Sequence, residues 1–185
     1  MTNLVLRAEI CERAMDVDAA RARAELTSLK SLASGTLQDT RRFIFDLRPM
    51  ILDDLGLEKT LRQYARQWAE KNKVEANLSV GGLRERLPNA VEISIYRIVQ
   101  DALNNVAGHA HAAHVQINVD LEDNTLVASV EDDGSGFNVQ ELERGETSKA
   151  LGIASMRQRA EMLGGQLIVE SLVGRGTKVT CVVPV

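Results

Sequence analysis

The chain has 185 residues, 26 acidic and 22 basic, and a formal net charge of -4, a balance that gives no basic face for nucleic acid. Aromatic residues are 3%, too few for base-stacking platforms, whereas 44% hydrophobic against 26% charged residues is a globular composition. Its two cysteines, Cys11 and Cys181, lack metal-ligand spacing and fit a reducing, cytoplasmic setting, and no apolar run approaches the roughly 20 residues of a membrane span.

Residues 3 to 15 read as a helix, 16 to 18 as a polar break, and Asp18 is placed to cap a second helix over 19 to 47. Along that helix Ala22, Leu26, Leu29, Ala33, Thr36, Thr40, Phe43 and Leu47 recur at spacings of four and three, a narrow seam suited to another helix. At 1.5 Å per residue the rod would measure about 43 Å, too long to fold back into a small core. A helical hairpin that pairs with a second copy of the chain is therefore expected, the other reading being a helix packed along its own domain. Pro49 ends the rod, and 47 to 57, LRPMILDDLGL, reads as a compact linker into a helix over 58 to 71, capped from the Asp53 and Asp54 side.

Val74, Ala76, Leu78 and Val80 alternate with polar residues in a strand that stops at Gly81-Gly82. Pro88 opens the next helix, which runs to about Gly108 with a core stripe on Val91, Ile95, Ile98, Ala102 and Val106. Asp101, Asn105 and His109 stack at i, i+4 and i+8 on a separate polar face. Oxygen ligands on successive turns suit Mg²⁺, which takes few protein ligands alongside phosphate, although such a line standing alone reads first as a solvated helix face. Strands over 115 to 121 and 125 to 131 follow, joined by the turn Glu122-Asp123-Asn124. In the second of them Leu126, Ala128 and Val130 set the core face, and Asp132 falls in the same register. A carboxylate there is costly unless it is satisfied. Gly134 and Gly136 around Ser135 allow positive φ and close approach of the backbone to a ligand; alone, this pattern is also a hairpin turn.

Residues 138 to 149 are charged throughout and read as a lid or a plain connector. After Ala150-Leu151-Gly152-Ile153 comes a helix over 154 to 163, whose N-terminal amides favour phosphate. Arg157 and Arg159 are two apart and point to different faces, so at most one of them reaches phosphate. Strands over 166 to 172 and 177 to 183 close the chain, joined by Val173-Gly174-Arg175-Gly176, with Cys181 in apolar register.

Singly these motifs are weak, but their order is distinctive. LRPMILDDLGL after a long helix resembles the junction between dimerisation helices and catalytic domain in sensor histidine kinases of the nitrate-sensor and DesK-like type. QDALNNVAGHA resembles the N box of the kinase and gyrase-type ATPase superfamily. Asp132-x-Gly134-x-Gly136, the Leu151-Gly152 segment ahead of Met156-Arg157, and Gly174-x-Gly176-Thr177 resemble the glycine boxes that follow it. The chain departs from the family at Asp101, where Glu is usual, at Gly108, where a basic residue is usual, and at Ala150, where glycine is usual. G-x-x-x-x-G-K-[ST] does not occur, so a P-loop is excluded.

The resemblance implies an α+β fold, a helical hairpin followed by a two-layer α/β sandwich of mixed sheet with three helices on one face. It divides the chain into dimerisation helices and linker over 1-57 and an ATP-binding domain over 58-185. Asp101 and Asn105 are implied as catalytic and Asn105 as the Mg²⁺ ligand. ATP contacts are implied at Asn105, His109, Asp132, Gly134, Gly136, Lys149, Leu151, Gly152, Ile153, Arg157 and Thr177, with Asp132 accepting from the adenine amino group and Thr177 turned towards phosphate. The implied reaction is phosphoryl transfer from Mg-ATP to a histidine and onward to a response regulator, by a homodimer joined through the helices, without nucleic acid or membrane contact by this segment. His109, His111 and His114 are the three histidines of the chain, none in the hairpin, so a fragment cut after the acceptor is expected, unable to phosphorylate itself. The alternatives are a regulatory module that binds ATP without catalysis and an ATPase of the gyrase or mismatch-repair kind.

Overall fold

A computed structural model of the chain describes residues 18, 22–24, 26–30, 50–83, 85–140 and 149–185. The chain divides into two compact units, Met1–Arg48 and Pro49–Val185. In the first, 22–24 and 26–30 are helical, with Ala22 buried and Leu26 exposed. The helix expected over 3 to 15, the remainder of the seam and most of the lid, 141–148, lie outside the described residues.

Among the described residues the second unit is a mixed sheet with three long helices packed on it. In chain order the elements are α1 (Met50–Asn72), β1 (Glu75–Gly81), α2 (Asn89–His109), β2 (His114–Glu122), β3 (Thr125–Asp132), α3 (Lys149–Met162), β4 (Gln166–Ser171) and β5 (Thr177–Pro184). The strands lie in the order β1-β2-β3-β5-β4. β1 runs parallel to β2, which requires a crossover, and α2 supplies it. The other pairs are antiparallel hairpins or neighbours. At the β2–β3 turn Asp123 and Asn124 both take positive φ, a conformation their short polar side chains tolerate.

Alternation decides which sheet face is covered. Val115, Ile117 and Val119 of β2, Leu126, Ala128 and Val130 of β3, and Val179, Cys181 and Val183 of β5 are all buried. They meet the stripe of α2, where Val91, Ile95, Ile98, Ala102 and Val106 are buried as their spacing predicts, together with Glu92, Ser94 and Tyr96, which it does not. Burial pushes the Cys181 thiol up to about 11, so at neutral pH it is an uncharged core group.

The linker differs from expectation. Residues from Met50 onward are helical, and the helix is interrupted only at Gly56, whose φ of 77° and ψ of 172° are non-helical. Leu52 and Leu57 sit in the core at 0% and 3% exposure. Pro49 stands immediately before the helix start, where proline is favoured as readily as it is just past a helix end, and this double meaning hid the element.

Candidate nucleotide-binding site

Strand register builds the site's floor. Asp132 at the end of β3 lies between Val115 of β2 and Thr177 at the start of β5, and directly opposed residues share a face. Asp132 and Thr177 therefore stand side by side beneath α2. Asp132 is buried, as its register requires, and its Oδ1 accepts the Gly134 backbone N–H at 2.9 Å. The carboxylate is thus satisfied in part by its own turn.

Above this floor lies an open cleft of about 460 Å³, its mouth included, lined by Ala102, Asn105, Val106, His109 and Ala110 of α2 and its end, Val130, Asp132, Ser135, Gly136 and Phe137 of β3 and its turn, Ile153 of α3, and Thr177 and Val179 of β5. The walls are mostly apolar, with a carboxylate at the floor and an amide at the rim, a lining that fits a flat heterocycle bearing an exocyclic amine. For a divalent cation the cleft offers the Asn105 side-chain oxygen; among the described residues no group of three or more His, Cys, Asp or Glu side chains is arranged to hold a metal. One protein oxygen suffices for Mg²⁺ when phosphate and water complete the shell.

The glycines have a role beyond approach to a ligand. Gly136 has φ 58° and a β-carbon there would fall 2.0 Å from the Leu172 carbonyl oxygen; Gly176 has φ 83° and its β-carbon would fall 1.8 Å from that of Asp132. Gly134 does not have positive φ; a β-carbon there would meet the Ala110 carbonyl oxygen at 2.4 Å. Small size at these positions lets the Asp132 turn lodge between the end of α2 and the β4–β5 hairpin. Hydrogen bonds fasten it on both sides. Ser135 donates its N–H to Ala110 O at 2.7 Å and its hydroxyl to His109 O at 3.2 Å, while Gly174 N donates to Ser135 O at 2.7 Å.

Ser171, which carried no signal in the sequence, ties the second side. Its Oγ accepts from Phe137 N at 2.9 Å, donates to Gly176 O at 3.1 Å and lies 2.9 Å from Thr177 Oγ1. A hydroxyl has one hydrogen, so with that hydrogen on Gly176 O the Thr177 hydroxyl is the donor to Ser171. Thr177 thus lines the cleft with its proton turned towards Ser171.

The polar line of α2 divides. Asn105 and His109 line the cleft, but Asp101 does not; its Oδ2 accepts from Arg159 Nη1 at 3.1 Å, and Arg159 also reaches Ser155 Oγ at 2.8 Å. Burial raises the Asp101 pKa above the ordinary carboxylate value, with Arg159 and Arg97 opposing it. Arg157 and Arg159 do face differently: Arg157 is exposed, and Arg159 turns inward as the tie from α3 to α2. α3 begins at Lys149, earlier than the expected 154, so Gly152 closes its first turn and Ile153 opens the second. Leu151 is exposed at 66% and Ile153 is buried in the cleft wall. A β-carbon at Gly152 would lie 3.4 Å from Asn105 Oδ1, an ordinary contact, so α3 runs beside the amide at this point. The side chains of Lys149 and Ala150 lie outside the described residues.

Beside the turn, Asp133 accepts Ala113 N at 2.8 Å, His114 N at 2.9 Å and His114 Nδ1 at 2.7 Å. The backbone and side-chain hydrogen bonds from His114 hold the Asp133 carboxyl down at about 2, and the same side-chain bond raises the pKa of His114 above 6.5.

Comparison with known proteins decides the family. Residues 90–185 match the model for histidine kinase-, DNA gyrase B-, and HSP90-like ATPases. The chain belongs to that ATPase family. Residues 1–52 match a second model, described as histidine kinase, so the order of the two is that of a sensor histidine kinase. The signal transduction histidine-protein kinase/phosphatase DegS of Brevibacillus brevis is 34% identical over 100% of this chain and 47% of its own length. The oxygen sensor histidine kinase NreB of Staphylococcus carnosus is 34% identical over 85% of this chain and 44% of its own. The chain thus spans about half the length of the curated relatives it matches. Among solved structures, the histidine kinase domain from Erythrobacter litoralis EL346 blue-light activated histidine kinase superposes with a TM-score of 0.58 at 25% identity, covering 69% of this chain and 60% of that one. Membership in this ATPase family implies that the domain binds ATP. No helix among the described residues is long and apolar enough to cross a membrane.

Proposed function

We propose that the chain is the ATP-binding catalytic region of a two-component sensor histidine kinase, which transfers the γ-phosphoryl group of Mg-ATP to a histidine for relay to a response regulator. The observation that carries this reading is the convergence of Asn105 and His109, Asp132 and Gly136, Ile153 and Thr177, from four separate elements, on one cleft. Asp132 accepts from the adenine amino group, while Val106, Val130, Ile153 and Val179 sandwich the ring. The Asn105 oxygen takes Mg²⁺, which neutralises phosphate charge. First-turn amides of α3 around Gly152, with Lys149, Leu151, Arg157 and His109 about them, receive the phosphates; Thr177, its proton on Ser171, stands beside Asp132 at the adenine end rather than turned towards phosphate, and Gly134 and Gly136 give the turn its form. In this reaction a histidine nitrogen forms its bond to the γ-phosphorus as the bridging oxygen leaves with ADP, so the protein's contribution is placement and charge stabilisation.

Residues 1–57 contain no histidine, so the acceptor is a histidine supplied from outside them. Pairing of two copies through the N-terminal helices and a receiver domain as second partner belong to the same proposal, as does a cytoplasmic location. The division into dimerisation helices and ATP-binding domain is kept, with 50–57 counted in the second. Asp101, held by Arg159 and away from the cleft lining, is proposed to act on catalysis by positioning α3; this disfavours the hydrolytic reading, which needs a carboxylate beside the attacking water.

Calorimetric titration with Mg-ATP tests the assignment. The parent chain is expected to bind, Asp132→Asn to keep its fold but bind about tenfold to hundredfold more weakly, and Asn105→Ala to lose the dependence on Mg²⁺. Absence of binding by the parent would overturn the proposal.

A further inference from the structure

The segment matched to the histidine kinase model ends at Leu52, whose side chain is wholly buried in the Pro49–Val185 unit. The Leu52 carbonyl accepts Arg86 Nη2 at 2.9 Å. The same guanidinium grips Glu92 with two prongs, Nε to Oε1 and Nη2 to Oε2, each at 2.9 Å. The Glu92 side chain is only 2% exposed. The Arg86 side chain is itself 49% exposed, so only the carboxylate is enclosed; a buried charge of this kind adds little net stability, because desolvation offsets the attraction, and its best-attested use is to fix one packing register against others.

Three parts of the chain meet at this guanidinium: the start of α1, the loop before α2, and the first turn of α2. The interruption of α1 lies against it as well, since a β-carbon on Gly56 would stand 3.4 Å from Arg86 Nη1. From Glu92, α2 runs on to Asn105 and His109 at the cleft, about 20 Å and about 26 Å along its axis. A helix packed between α1 and α3 and on the sheet shifts as a body, so its two ends cannot be displaced independently.

We propose that Arg86 and Glu92 are positioning residues that couple the start of α1 at Leu52 to the nucleotide cleft, with α2 as the connecting rod. The inference rests on the ATP-binding reading. Linkage makes the coupling reciprocal: nucleotide that settles α2 over the cleft also settles Leu52 on Arg86.

Hydrogen exchange at the backbone amides of 50–57, with and without Mg²⁺ and a non-hydrolysable ATP analogue, tests this on the whole chain. In the parent, nucleotide is expected to slow exchange in that segment. In Arg86→Gln the segment is expected to exchange about tenfold faster and to ignore nucleotide, and by reciprocity calorimetric affinity falls only by the coupling that is lost, not to the point of abolishing binding. Arg86→Lys is the second variant, used if loss of the charge unfolds the domain. Its single nitrogen cannot span both prongs of Glu92 and the Leu52 carbonyl, so it too is expected to lose the response. A parent that binds nucleotide without protecting 50–57, or an Arg86→Lys chain that responds as the parent does, overturns the coupling and leaves the ATP site standing. A parent that does not bind overturns the ATP reading itself.

Discussion

Asp132 and Asp133 are neighbours with opposite surroundings. Asp132 is buried under α2 at the cleft floor, whereas Asp133 is exposed and paired with His114. Linkage gives the exposed pair a definite pH signature. The Asp133 carboxyl is depressed from 3.8 to about 2, so its contribution to stability is complete above 3.8 and is lost as pH falls through about 2. His114 is raised above 6.5, so its contribution is complete below 6.5 and fades as pH rises through the elevated value. The pair is therefore expected to stabilise most between pH 3.8 and 6.5. Urea unfolding of the parent and of His114→Gln should show the gap between them narrowing above that window; a gap that widens with rising pH would contradict the pairing. Of the two aspartates, only Asp132 was legible in the sequence, because alternation reports which face a residue takes. What bonds to Asp133 depends on His114, 19 positions away, and on how β2 begins, which no local pattern records.

Among the elements, the strands and α2 were readable because each has one covered face and a fixed period. The ends were not. α3 starts at Lys149, and α1 continues through residues taken for a linker, because capping and the proline before Met50 are compatible with two assignments. The interlock of the Asp132 turn with the β4–β5 hairpin was also hidden, since it depends on main-chain oxygens that every sequence possesses. It gives a sharp contrast between two glycines of similar φ. Gly176→Ala drives a β-carbon to 1.8 Å from Asp132 O, and at this fully enclosed site a loss of roughly 3 kcal/mol or more is expected. Gly174→Ala, with nothing within 4 Å, carries only the strain of its φ of 76°, about 1 kcal/mol. Urea midpoints of the two variants check this; equal losses would mean that the interlock does not hold in solution.

At the scale of the molecule, the residues that complete the ATPase core reach back to Leu52, well ahead of position 90, where the ATPase family match begins. A piece comprising 58–185 is expected to be less stable than one comprising 49–185 by about 3 kcal/mol or more, since it loses two fully buried leucines and leaves Arg86 without the Leu52 carbonyl. Comparison of their denaturation curves decides; equal stability would place 50–57 outside the folding unit. The broad plan, helices followed by a mixed-sheet nucleotide domain, was visible in motif order. The Arg86–Glu92 clamp was not, because a charged residue in the first turn of a helix reads as solvated until packing shows it enclosed.

Cys181 sits on β5, inside the sheet, paired across to Ala128 and Leu167, and is itself fully buried. A thiol so sealed and so little ionised reacts with an alkylating agent only when the surrounding strands separate. Brief pulses of iodoacetamide, read by mass at the peptide containing position 181, would therefore time the opening of the native molecule directly, with no dye, tag or added probe in the sheet. The protein carries its own stopwatch.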